Sequence, residues 1–425
     1  MRCVPRYRIP GGSHVMKALF VNVSSVGHVV PTLGLVRALV QRGVEVAYLE
    51  IDAHRAELEA NGARFVPFAP FSPYQGPQGA QILALPAVLA HCAVDATQTV
   101  LDAIDAERPD IVVHDLLCTW GRLAADLAGV PRIASVASAA LTRDMLTREP
   151  IARAWRAAAG DPSAFDAFVA RCWDAIGRRY GRPPEDAVST ALNTAPTNLV
   201  HLSRALQPNA DAFGADYLFC SSGEPRRLVA QDFDWSRVGA RPVVYASFGT
   251  AHDPGHAFYA ALARAMHDVD ATLVAVESPS MTQPGPIAWP DGTIVCANGA
   301  APQLALLERA ALFVSHVGGG AVREAAWTGT PMLGLPQTFE QDLLLQRLAE
   351  HGVARRLSPA PDAGEIAAAV RAMLADPALR TRAAQLAMSE RASNAQQQAV
   401  DAIVGAMRAR PPSHAARPSP HADAN

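Results

Sequence analysis

The feature that most constrains this chain is an alternation, run through twice, of short apolar blocks with stretches of helical spacing. Short apolar blocks bounded by helices cannot bury themselves, so they pair in parallel and take helices on both faces of the sheet. The first series runs from "KALFVNV" (Lys17–Val23) through "VEVAYLE", "ARFVPF", "DIVVHDLL" and "VPRIASVA" to "NLVHLS". The second opens at "PVVYASFG" (Pro242–Gly249) and continues through "ATLVAVE", "TIVCANG", "ALFVSHV" and "PMLGLP". The fold class that follows is α/β, with two Rossmann-like doubly wound domains facing a central cleft, where the carboxyl ends of the strands present ligand sites.

Boundaries follow from the same pattern. Residues 1–15 read as an extension, because the first strand begins after Met16. Residues 16–222 form the first domain, the polar and aperiodic 223–241 a linker, and 242–385 the second domain. A helix over 386–408 is expected to pack back on the first domain. The tail 409–425, rich in Pro, Ala and polar residues, is expected to be disordered. Within the first domain, residues 141–180 have helical spacing throughout.

Composition excludes several classes. A net charge of -3 offers no footprint for nucleic acid. The six cysteines lie far apart with no C-x-x-C pair, which fits a reducing, cytoplasmic setting better than a disulfide framework. No run of about 18 uncharged apolar residues is present, so no integral membrane segment is expected. The oligomeric state is left open.

The most informative stretch is "ALFVSHVGGGAVREAAWTGTPMLGLPQTFEQDLLLQ" (311–346). A strand ends near His316, three glycines follow, and a helix starts at once. Glycines let backbone amides approach a ligand, and a helix N-terminus offers unpaired N–H groups with partial positive charge. That is an anion site suited to a diphosphate. No Lys-Ser/Thr follows, so it is not a Walker A loop, and the full G-x-G-x-x-G fingerprint is missing.

The segment resembles the donor-binding signature of family 1 glycosyltransferases, of the type that decorate natural products such as macrolides and polyketides. His316, Gly318, Glu324, Pro331, Pro336, Glu340 and Gln341 stand at the matching spacings. The resemblance extends to "APQLALLERAALFVSH", "VVYASFGT", "SRALQP" and "GHVVPTLGLVRALVQRGVEV", and covers essentially Lys17 to Val400. It implies a GT-B fold with an acceptor-binding first domain and a nucleotide-sugar-binding second domain. By this resemblance, Pro302 and Gln303 sit at the nucleobase turn. His316 donates to the donor phosphate, helped by the amides of Gly318, Gly319 and Gly320. Glu324 holds the ribose hydroxyls, and Glu340 with Gln341 reads the sugar. Ser247 and Thr250, flanking a glycine after a strand, add hydroxyls near the phosphates. Two positions depart from the pattern: Ala321 replaces a Ser/Thr, and Glu340 replaces Asp.

In the first domain, "VSSVGHVVP" places His28 in a loop before a helix whose first turn Pro31 suits. By the same resemblance His28 is the general base and Asp115, at the end of "DIVVHDLL", its partner. An imidazole near neutral pH suits that work when a carboxylate orients it. The expected reaction is inverting transfer of a sugar from a UDP- or dTDP-sugar to a hydroxyl of a small hydrophobic acceptor. It needs no cofactor and no metal. A non-catalytic relative acting as activator, or a sugar-nucleotide epimerase of the same architecture, are the alternatives.

Weaker signals read as structural. "DFD" (Asp232–Asp234) has the D-x-D spacing of a metal site but falls in the linker. His252 and His256 lack further ligands and read as a solvated loop. Trp155, Phe165, Phe168 and Trp173 read as core, with an acceptor-pocket lining as the alternative, and His114 is expected to point away from Asp115.

Overall fold

The computed structural model describes residues 15–68, 71–220, 224–225, 233–249, 252–282 and 285–409. Thr250 and Asp232 therefore lie outside the described residues, as do almost all of the N-terminal extension, residues 223 and 226–232 of the linker and residues 410–425.

The first domain is built on seven strands: β1 (Lys17–Val21), β2 (Glu45–Glu50), β3 (Arg64–Pro67), β4 (Ile111–Asp115), β5 (Arg132–Val136), β6 (Asn198–Val200) and β7 (Tyr217–Phe219). They are all parallel, in the order β3-β2-β1-β4-β5-β6-β7. Eight helices cover the sheet: α1 (Val26–Gln41), α2 (Arg55–Ala60), α3 (Gln81–Glu107), α4 (Thr119–Ala128), α5 (Arg143–Thr147), α6 (Pro150–Ala159), α7 (Ser163–Tyr180) and α8 (Ala187–Leu192). The central strands are buried on both faces, which is why they read as unbroken apolar runs.

The second domain has six parallel strands: β8 (Val243–Ser247), β9 (Thr272–Val276), β10 (Ile294–Cys296), β11 (Ala310–Ser315), β12 (Met332–Gly334) and β13 (Ala354–Arg356). Their order is β10-β9-β8-β11-β12-β13. Its helices are α9 (His256–His267), α10 (Gln303–Leu307), α11 (Gly319–Thr328), α12 (Phe339–Glu350), α13 (Ala363–Leu374) and α14 (Pro377–Arg391). A last helix, α15 (Ala395–Arg408), leaves this domain and packs on the first, setting Ala399, Val400, Ile403 and Met407 into the core beneath α1.

Strand order reverses between β1 and β4 in one sheet and between β8 and β11 in the other. Loops leaving the carboxyl ends at such switch points diverge and open a crevice. His28 and Asp115 follow one switch point; Ser247 and His316 follow the other.

Three differences from the sequence reading have physical causes. The helical stretch 141–180 is three helices. Glu149 caps α6 and accepts from Ile151 and Ala152, with Pro150 in its first turn, and Gly160 ends it. Secondly, α1 begins at Val26, so His28 lies in its first turn and Pro31 inside the helix. The amides of His28 and Val29 both turn back to the Ser25 carbonyl at 2.9 Å, closing that turn earlier than the proline suggested. Thirdly, α3 has no counterpart in the sequence reading. Among the described helices it alone is long and apolar enough to cross a membrane, but half of that stretch is buried in this fold. It packs against α4 and α7 through Ala87, Ala90, Ala93 and Val100.

Candidate active site

A cavity of about 660 Å³ lies between the domains, lined by residues of both. On the first-domain side, His28 Nδ1 lies 2.8 Å from Asp115 Oδ2. A carboxylate only accepts, so Nδ1 carries the proton and Nε2 keeps its lone pair. Asp115 is fully buried, and its other oxygen accepts from the Leu117 amide at 2.7 Å. The helix that follows is capped by Cys118, so Asp115 serves His28 rather than the cap of α4. The His28 side chain keeps 24% of its surface open, toward the cavity. Burial opposes charge on this ring, but Asp115 and then Glu340 outweigh it, and the His28 pKa rises above 6.5.

His114, beside Asp115, is fully buried and donates to or accepts from nothing in the cleft. Its Nδ1 lies 3.1 Å from the Asp115 carbonyl, and burial with nearby Arg132 drives its pKa down to about 3. His201 pairs with Ser135 in the core and is likewise pushed to about 3, chiefly by burial.

On the second-domain side, α11 begins directly after β11. Val317 takes a left-handed backbone, φ 64°, although it is β-branched and fully buried. Such a conformation costs on the order of 1–3 kcal/mol and persists only when its surroundings enforce it. Here the Ser315 hydroxyl accepts from the Val317 amide, and Gly334 leaves room for its side chain. The reversal turns His316 into the cavity and aims the start of α11 at it. Gly318 caps α11 with no side-chain hydrogen bond, leaving its first amides for a ligand.

Each glycine of the triplet has its own steric reason. A Cβ on Gly318 would come within 2.5 Å of His316 Nε2. One on Gly319 would meet Ser138 of the first domain at 2.3 Å, so this glycine lets the domains approach. One on Gly320 would meet nothing and would stand in the cavity wall. His316 is driven to a pKa of about 3, by burial first and then by neighbouring His252, so it is a neutral donor.

Pro302 caps α10, and Gln303 opens it. Gln303 Nε2 donates to Glu324 Oε2 at 2.5 Å, and the Tyr245 hydroxyl donates to Gln303 Oε1 at 3.2 Å. The structure thus brings Gln303 and Glu324 together at the far end of the cavity. Ser247 lines the wall near His316. Glu340 reaches across the cleft: its Oε1 accepts from the Ala139 amide of the first domain at 3.3 Å. Burial raises the Glu340 pKa, tempered by Ser138 and by His28. Gln341 lies one residue on, in the first turn of α12. Ala321, where a hydroxyl was expected, lines the cavity with a methyl.

The sequence reading of His252 as a solvated loop residue needs correcting. Its ring lines the cavity, stands 4.9 Å from the His316 ring, and lies 2.9 Å from Gln341 Nε2. Ser138 and Tyr245 also line the site without having been singled out. Trp155, Phe165, Phe168 and Trp173 do not line the cavity. Phe165 and Trp173 are buried in the first domain's core, with Trp173 donating to Thr190. Trp155 crosses to the second domain and donates to Asp342 at 3.1 Å. Among the described residues, no group of three or more His, Cys, Asp or Glu side chains gathers as metal ligands. Asp234 of the D-x-D run accepts from Ser236 in a surface turn.

With this geometry in view, comparison with known proteins is decisive. Residues 260–407 match the family model of the erythromycin biosynthesis protein CIII-like C-terminal domain. The chain is 29% identical over 347 residues to the oleandomycin glycosyltransferase of Streptomyces antibioticus, covering 79% of this chain and 78% of that one. It is 27% identical over 338 residues to the uncharacterized UDP-glucosyltransferase YdhE of Bacillus subtilis strain 168, covering 78% and 83%. Among solved structures, the glycotransferase of kitacinnamycin superposes with a TM-score of 0.78 at 28% identity, over 93% of this chain and all of that one. This chain has the GT-B fold and is a glycosyltransferase, similar over most of its length to enzymes of natural-product glycosylation. The cleft of the transferase has one wall carrying His28 and a facing wall carrying His316 and the start of α11, termed the acceptor wall and the donor wall after the roles proposed for them below.

Proposed function

We propose that this transferase moves a sugar from a UDP- or dTDP-sugar to a hydroxyl of a small apolar acceptor, in one inverting step that needs no metal. The observation that carries this reading is the His28–Asp115 pair, open to the same cavity that the uncapped start of α11 faces. His28 Nε2 takes the proton of the acceptor hydroxyl while that oxygen attacks the anomeric carbon. The bond from that carbon to the diphosphate breaks, and its electron pair leaves on the diphosphate oxygen. An α-linked donor thereby gives a β-linked product. The amides of Gly319 and Gly320 and a hydrogen bond from His316 receive the growing charge, preorganised by the turn that sets them at the cavity wall. Because His316 is neutral, the helix end supplies most of the electrostatic stabilisation.

The acceptor end supports an apolar substrate. Ile82, Leu85, Pro86, Leu117, Leu141 and Leu146 line it, all aliphatic. The Gln303–Glu324 pair supports a nucleoside at the opposite end, where the carboxylate suits ribose hydroxyls.

The test is turnover of the wild type and His28→Ala with UDP- and dTDP-sugars in excess EDTA. Wild type is expected to keep its full rate, and the variant to lose about 100- to 10,000-fold in kcat, the usual contribution of a positioned general base. Full activity in the variant removes the base assignment. Activity abolished by EDTA and restored by a divalent cation removes the metal-free mechanism.

A further inference from the structure

Behind the donor wall lies a hydrogen-bond chain whose direction is fixed at one end. The Gln337 amide donates to Gln341 Oε1 at 2.7 Å, which commits that oxygen as an acceptor and prevents the carboxamide from turning over. The other end of the carboxamide, Nε2, has only hydrogens to offer. It stands 2.9 Å from His252 Nε2. A hydrogen bond exists there only if His252 Nε2 presents its lone pair, which places the ring proton on Nδ1 and leaves the imidazole uncharged. Burial presses the His252 pKa downward, in the same sense. Gln341 is itself buried, and its backbone N–H is held by the Thr338 cap of α12. Its side chain therefore has one N–H left to direct into the cavity, and His252 sets the plane in which it points.

We infer that His252 is a positioning residue for sugar selection, acting through Gln341: it accepts from the carboxamide, holds it in one orientation, and so fixes which arrangement of donor-sugar hydroxyls the cleft admits. The inference rests on the donor reading given above, with Gln341 facing the sugar. His252 touches the sugar in no part of this argument; its effect passes through the amide.

Two measurements test it. The first is the ¹⁵N–¹H imidazole spectrum of the unliganded enzyme at neutral pH, with His252 assigned by its loss in His252→Phe. The expected result is a neutral ring protonated on Nδ1; a ring protonated on Nε2, or on both nitrogens, overturns the inference. The second compares binding of UDP with UDP-glucose, and dTDP with dTDP-glucose. His252→Phe keeps a ring but removes the acceptor, and should weaken the sugar nucleotide about tenfold, the worth of one hydrogen bond of ordinary strength, while leaving the bare nucleoside diphosphate within about twofold. His252→Gln, which restores an acceptor at similar reach, should recover most of the loss. Equal weakening of both ligands in His252→Phe, or weakening of neither, overturns the inference. A wild type that binds none of the four overturns the donor reading instead, and the tautomer, measured without ligand, tells the two failures apart.

Discussion

The two walls of the cleft hold histidines in opposite electrical conditions. His28 on the acceptor wall has a buried carboxylate at 2.8 Å and a second carboxylate, Glu340, facing it from the other domain, and its pKa stands above 6.5. His316 on the donor wall is pushed to about 3 by burial and then by the neighbouring ring of His252. Burial opposes charge on both. What separates them is the partner: an anion in one case, another imidazole in the other. The lesson is that one cleft obtains a readily protonated imidazole and a neutral one from the same side chain by choosing what stands behind it, which suits the base and the hydrogen-bond donor proposed for them. In the proposed reaction the helix end, whose partial charge needs no proton, is left to meet the diphosphate.

The sharpest way to break this contrast is Asp115→Asn. The asparagine oxygen would still accept from Leu117, which turns its amide N–H₂ toward His28 Nδ1. His28 must then accept at Nδ1 and carry its proton on Nε2, where it cannot take another from an acceptor hydroxyl and remain neutral. We expect kcat to fall about 1,000-fold, within the range for lost general-base catalysis, with little change in the donor KM. The residual pH profile reports the same thing. In the wild type, kcat/KM should fall as pH drops through the His28 pKa, so the acid limb lies above 6.5. In Asp115→Asn that limb should move to lower pH. An unmoved limb with unreduced kcat would show that Asp115 does not govern the base.

Next in size are the glycines of the donor wall. Gly318→Ala drives a methyl into His316 and should weaken donor binding about 10- to 100-fold, the scale of a 1–3 kcal/mol overpacking penalty. Gly319→Ala pushes against Ser138 and should act on domain closure instead, lowering kcat more than it raises KM. Gly320→Ala meets no protein atom and should leave the melting temperature unchanged. Equal effects at all three positions would mean that the loop tolerates side chains by moving as a whole.

Much of this contrast was legible in the residues, and what was not has a common cause. The strand, triple glycine and helix at 311–328 are local, so spacing alone marked this turn and the uncapped helix start. His28 and Asp115 were legible because each ends or follows a central strand. The partners that tune them are not local. Glu340 meets Ala139 across 201 residues of sequence, and Gln341 meets His252 across 89, with no periodicity to announce either pairing. The helix α3 escaped for a different reason: Asp95, Gln98, Asp102 and Asp105 form a polar stripe along its second half only, whereas residues 82–90 are apolar all round and show no period. Short β7, three residues at the sheet edge, offers too little pattern to recognise.

The same contrast governs stability against acid. His114, His201 and His316 all have folded pKa values of about 3, while the unfolded chain takes protons near 6.5. Between those limits the unfolded state binds the extra protons, so stability must fall as pH falls from 6.5 toward 3. His28 runs the other way: its raised pKa favours the folded state at pH below 6.5, and that contribution is lost as pH rises through its folded value. Each depressed histidine steepens the slope by up to about 1.4 kcal/mol per pH unit. Denaturant unfolding at several pH values should therefore be flatter in His316→Gln than in the wild type, by one proton, and no flatter in His28→Gln. Identical slopes in wild type and His316→Gln would show that His316 carries its charge in the folded state.

The smallest effect concerns how the walls are held together. Trp155 on α6 donates to Asp342 in the first turn of α12, the same turn that carries Glu340 and Gln341. The bond thus ties the first domain to the helix that carries the proposed sugar-reading pair. Arg356 also pairs with Asp342, so the carboxylate keeps a partner when Trp155 is replaced. Trp155→Phe preserves the ring packing against α12 and removes only the indole N–H. The loss should be about 0.5–1.5 kcal/mol, the net worth of one intramolecular hydrogen bond, and a part of it should appear as a rise of less than about fivefold in the donor KM. If the bond serves only to glue the domains, stability falls and KM stays. If it holds the first turn of α12 in register with the acceptor wall, the two move together, and they should do so in Asp342→Asn as well.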